Sequence, residues 1–241
     1  MNTKTEIKVG NYTTEIVRKE IKNMHLGVYP PTGRIRVAVP LKTSDESIRL
    51  LIVSKIPWIK KQQAKFINQE RQSKRDYISG ESHYFLGRRY LLKVIDIEPI
   101  PRVEIKRKTR INLYVKPNST QQHREKLLDN WYRLEIKKQI EFLGDKWSKI
   151  IGIKANKISV RKMKTKWGTC NPRSRRILLN LELAKKPSHC LEYVFVHEMI
   201  HLLEKKHSVK FQNYMDKFLP KWKQLKQELN KSPLNYIDWD Y

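Results

Sequence analysis

The sequence predicts an α+β protein, with a β-rich part over residues 1–117 and a part over residues 118–241 in which a buried helix packs on a small sheet. Three observations carry this. Arg34–Val39 alternates polar and apolar, as a half-buried strand does. Residues 121–150 carry an apolar stripe at helical spacing. The segment from Ser188 onward is apolar nearly all round, the mark of a buried helix.

Taken in order, Pro30, Pro31 and Gly33 punctuate a turn before the strand Arg34–Val39. Thr43 with Glu46 is a capping-box pattern, and Ile48, Leu51 and Ile52 continue it as a helix that Pro57 should break or kink. Residues 70–82 read as a loop and 84–97 as an extended stretch. Val103–Lys106 and Ile111–Val115 read as a hairpin around Arg107–Arg110. Lys116–Thr120 is a polar linker and the expected domain boundary. A helix follows over 121–150, burying Leu127, Leu128, Trp131, Leu134, Ile136, Ile140 and Leu143. Strands are expected at 157–161 and 177–181, with Trp167–Pro172 as a turn-rich stretch between them. Helices are expected at 188–204, with Ser188 as N-cap, and at 208–229, with Ser208 as N-cap. The aromatic tail Tyr236–Tyr241 is expected to pack back onto the body. No internal repeat is evident.

The composition suits a folded protein: 39% hydrophobic residues, six Trp and eleven Tyr. No apolar run reaches the roughly 20 residues that span a bilayer, and residues 1–22 hold no signal-like apolar core. A cytoplasmic protein with no membrane partner is the expectation. Cys170 and Cys190 read as free thiols of a reducing compartment in preference to zinc ligands or an incidental pair.

The chemistry concentrates in His197-Glu198-Met199-Ile200-His201. Two His four residues apart leave one helix face about 6 Å apart along the axis, so both rings can reach one ion. The H-E-x-x-H pattern adds a carboxylate beside the open coordination position, where it can serve as general base. Catalytic zinc has three protein ligands and one open site. His207, just past the expected helix end, is the best third ligand. The remaining His25, His83, His123 and His189 are scattered.

Trp167-Gly168-Thr169-Cys170, Ile177–Asn180, Leu191–Leu202 and His207-Ser208 with Phe211 together resemble the YgjP-like metallopeptidase family, which is similar to the SprT and Spartan zinc peptidases. Arg34–Pro40, Ile56–Lys61 and Leu86-Gly87 resemble that family's earlier blocks. The family usually has Ser where this chain has Thr169. The His spacing also matches metzincins, but Glu204 stands where their glycine belongs and no Met-turn follows. The resemblance implies a zincin-like metallopeptidase domain over 118–241. It also implies one Zn2+ per chain on His197, His201 and His207, Glu198 as catalytic base, and a protein or peptide substrate.

Three features stay open. Trp167, Cys170 and Asn180 are candidates for the substrate cleft, with turn and core packing as the alternative. The segment Ile177–Leu181 could offer a sheet edge to a peptide or pair within its own sheet. The net charge of +27, and nine Lys or Arg without an acid between Lys154 and Arg176, point to a nucleic-acid partner or to solvated faces. The candidate contact residues are Lys162, Lys164, Lys166, Arg173, Arg175 and Arg176. The SprT and Spartan relatives act on DNA-associated proteins, which would suit such a charge. The rival reading is a basic nucleic-acid-binding protein whose zinc is structural.

Overall fold

The structure is a computed structural model that describes residues 4–29, 32–67, 75–97, 100–163 and 166–231. The tail 236–241, Pro30, Pro31 and Lys164 lie outside them. The described residues divide into two compact units, 4–67 and 75–231.

In the first unit, β1 (Lys4–Val9), β2 (Tyr12–Lys19), β3 (His25–Tyr29) and β4 (Arg34–Pro40) form a sheet in the order β1-β2-β4-β3. β2 and β4 run parallel, and both outer pairings are antiparallel. β4 alternates as its sequence requires, with Ile35, Val37 and Val39 buried. Helix α1 (Asp45–Ile67) buries Ile48, Ile52 and Ile59 in the same core. Ser44, not Thr43, caps it by accepting from the Ser47 amide at 3.3 Å. Pro57 lies inside this helix and does not end it. An interior proline costs about 3 kcal/mol. Fully burying isoleucines at about 2–3 kcal/mol each, on both sides of Pro57, outweighs that cost.

The second unit opens with the same arrangement. β5 (Ser82–Phe85), β6 (Arg88–Asp96), β7 (Arg102–Lys106) and β8 (Arg110–Val115) form a sheet in the order β5-β6-β8-β7, with β6 and β8 parallel, and α2 (Gln121–Ile151) follows. β4 and β8 begin 76 residues apart (110 minus 34), and so do α1 and α2 (121 minus 45). At that offset the buried Ile35, Val37 and Val39 match Ile111, Leu113 and Val115, Ile16 matches Leu92, and the cap Ser44 matches the cap Thr120. The expectation of no repeat is therefore corrected. The repeat is one of apolar and capping positions, and few side chains are identical. It also shows why the expected boundary at 117/118 falls inside a unit: β8 and α2 belong to one repeat and one core.

α2 matches its expected span, but Leu134 is 60% exposed, and Tyr132 and Trp147 are buried in its stead. The remaining strands, β9 (Lys157–Arg161), β10 (Gly168–Asn171) and β11 (Arg176–Asn180), form a sheet in the order β10-β11-β9. The stretch expected as turns is thus an edge strand, and the turn is residues 172–175. β11 pairs on both sides, so it offers no edge to a peptide; β10 does. A 3-10 turn, Leu181–Lys185, leads into α3 (Ser188–Ile200), which Pro187 precedes without a side-chain cap. The β5–β6 turn positions that start. Leu86 and Gly87 donate to the carbonyls of Ala184 and Lys185 at 2.9 and 3.3 Å. Gly87 has φ 79°, and a Cβ there would meet Pro187 at 2.7 Å, so the contact needs glycine. The last expected helix is two, α4 (Val209–Phe218) and α5 (Trp222–Lys231), because Pro220 interrupts it.

Candidate metal centre

α3 is buried on nearly every side, which makes its polar residues expensive unless something satisfies them. His197 lies on its last turn and His201 caps its C-terminus four residues on, with ring centroids 4.8 Å apart. The chain leaves the helix through a tight turn in which Leu203 and Glu204 donate to the Ile200 carbonyl. That bend returns His207 to within 4.7 Å of His201 and 5.0 Å of His197, centroid to centroid. Ser208 then caps α4, accepting from the Phe211 amide at 3.4 Å. The buried Phe211 ring lies 4.7–4.9 Å from all three imidazoles.

One ring nitrogen from each histidine lies within 4.8 Å of the others. His201 Nδ1 faces the Glu204 carbonyl at 3.0 Å. A carbonyl only accepts, so the proton is on Nδ1 and Nε2 keeps its lone pair. His197 Nε2 and His207 Nε2 are 3.0 Å apart, and His197 Nδ1 is buried without a partner. Burial, then the charges of His201 and His207, push the His197 pKa down to about 3. Burial likewise lowers that of His201. Both rings are neutral at neutral pH, the state a metal needs. Three convergent imidazoles fit a divalent transition metal.

Glu198 is 5% exposed, and burial raises its carboxyl to about 7 against a weaker opposing pull from Lys166. Its carboxylate forms no hydrogen bond among the described residues. Cys170 and Tyr193 sense its charge: burial, then Glu198, raises their groups to about 11 and about 12.

The other sequence candidates are placed as follows. Trp167 packs on the core with Lys186 Nζ 5.8 Å above its ring. Asn180 donates to the Met163 and Lys166 carbonyls at 2.8 Å and accepts from the Met163 and Glu182 amides at 3.2 Å, so its side chain ties down a loop. Lys162 is paired with Glu125 at 2.7 Å and Asp129 at 3.2 Å. Lys166, Arg173, Arg175 and Arg176 are exposed. Sequence reasoning missed the orienting Glu204 carbonyl, Tyr193 and Gly168. Tyr193 stands four residues before His197, a signal that was available. It also missed a second group of potential ligands, His189, Cys190 and Glu228, where His189 Nε2 and Glu228 Oε1 pair at 2.7 Å between α3 and α5.

An α+β fold that brings three histidines together beside a buried carboxylate is the arrangement expected of a metal-dependent peptidase. The chain matches the model of the YgjP-like metallopeptidase domain over residues 22–232, and it belongs to that family. Two solved structures share 20% identity with it. The metallopeptidase zymogen of Pyrococcus abyssi abylysin matches 41% of this chain and 99% of its own, with a TM-score of 0.36. The metallopeptidase zymogen of Methanocaldococcus jannaschii jannalysin matches 37% and 92%, with a TM-score of 0.34. No curated protein matches the chain. Among the described residues, no helix is long and apolar enough to cross a membrane.

Proposed function

We propose that the protein is a zinc peptidase in which His197, His201 and His207 hold one Zn2+ and Glu198 is the general base. The observation that carries this is the convergence of three imidazole nitrogens within 4.8 Å beside a buried carboxylate. Held by these histidines, zinc would lower the pKa of a water towards about 7 and polarise a carbonyl oxygen. The Glu204 carbonyl fixes the His201 tautomer and ring. Glu198, its proton affinity raised by burial, takes a proton from the attacking water and returns it to the leaving nitrogen. β10 is an edge strand in contact with α3, and its edge can accept a peptide as an added strand. Among the described residues no fourth ligand joins the three histidines. That favours an open catalytic site over a structural one, which has four.

In metal-loaded protein, Glu198→Gln is expected to lower casein hydrolysis by about 10²–10⁴-fold with metal content unchanged. Undiminished hydrolysis would remove Glu198 from the chemistry. The free thiols Cys170 and Cys190 suit the cytoplasm.

A nucleic-acid-associated substrate is a second reading, favoured by one face. The outer side of the three-stranded sheet carries Lys157, Arg161 and Arg176 with Ser159, Thr169 and Asn171, lining a cavity of about 330 Å³. No ion-pair partner reaches the three cations among the described residues. Lys157→Glu with Arg176→Glu should weaken DNA binding and lower its salt slope by about 2. Unchanged binding would exclude this face.

A further inference from the structure

Gly168 opens β10 on the side facing α3, opposite the inward Leu179. Its φ lies outside the left-handed region, so the backbone conformation does not require glycine. Space does. A Cβ added at Gly168 would lie 2.7 Å from Glu198 Cγ, 2.7 Å from Oε1 and 3.0 Å from Cδ. The Glu198 side chain occupies the volume that a side chain at 168 would fill. Because no hydrogen bond holds the carboxylate among the described residues, the walls around it set its orientation. Cys170 stands two residues along the strand on the same face. Lys166, two residues before Gly168, carries the charge that opposes the burial of the carboxyl.

We propose that Gly168 is a positioning residue for Glu198: its bare α-carbon lets the carboxylate lie against the face of β10, beside the edge along which the substrate backbone would run. The inference rests on the reading of Glu198 as the base. It also gives β10 two tasks, because the strand that offers a pairing edge to the peptide seats the base beside that edge. Any side chain at 168 swings Glu198 out of line while leaving the three histidines, which β10 does not seat, in place.

The test is Gly168→Ala in the full-length, zinc-loaded protein. A misplacement of about 1 Å costs about 100-fold, so kcat should fall by about that factor. KM should stay within about threefold, because ground-state binding is not what is lost. Bound zinc should be unchanged. In a crystal structure of the variant the Glu198 carboxylate should be displaced and the imidazoles unmoved. A kcat within about threefold of wild type overturns the proposal, and so does loss of zinc. Thermal unfolding gives a readout independent of activity. Whatever Tm the substitution costs in wild type should disappear in the Glu198→Ala background, where the clash has no partner. A cost that persists there overturns the proposal even if Gly168→Ala folds poorly. Full activity in Glu198→Gln alone would instead defeat the reading of the base, with the steric result standing.

Discussion

In metal-stripped protein the Glu198 carboxyl should leave a signature in the pH dependence of stability. Unfolded, it titrates near 4.5; folded, burial raises it to about 7. Between those values the folded chain binds the extra proton, so stability falls as pH rises through the window. A tenfold change in proton affinity is worth about 1.4 kcal/mol, which gives about 3 kcal/mol over the whole window. Glu198→Gln removes the titration and keeps the shape. The variant should therefore gain about 3 kcal/mol on wild type between pH 4 and pH 8, whatever constant offset the amide introduces. Equilibrium urea unfolding in chelator measures it. Zinc should shrink the effect, because a neighbouring dication favours the carboxylate. A stability difference between the two proteins that is flat with pH would refute the reasoning, since the carboxyl would then be as solvated folded as unfolded.

Two further outcomes follow from the same structure. Asn180→Ala should cost about 3 kcal/mol in urea unfolding, because four hydrogen bonds to the backbone of residues 163, 166 and 182 go unmade around a 4% exposed site. His83 is buried beside Glu81, and burial lowers its pKa to about 4 despite the hydrogen bond with that carboxylate. As pH falls from 6.5 to 4 the unfolded imidazole takes a proton that the folded one refuses. Wild type should lose stability there, and His83→Gln should lose less in the same assay.

Much of the candidate site could be read from the sequence because it is local. His197, Glu198 and His201 sit within one helical turn, and Ser208 caps the helix that follows His207. α2 was legible for a similar reason: a 31-residue helix needs no distant partner to show its period. What escaped depends on contacts remote in the chain. Pro57 reads as a breaker until the sheet opposite α1 buries isoleucines on both sides of it. Gly168 reads as a turn residue until α3 places Glu198 against it. Asn180 reads as a cleft residue until its amide is seen to hold the Met163 and Lys166 carbonyls. The duplication escaped because its matches lie in burial and capping, as with Val37 and Leu113 or Ser44 and Thr120.

The most direct test of the account is the metal content of purified protein, by elemental analysis, for wild type beside His201→Ala after dialysis against zinc. The account predicts one zinc per chain in wild type and a loss of most of it in the variant, with the fold intact by circular dichroism. Wild type that holds no metal after reconstitution, or a variant that holds as much as wild type, would contradict it.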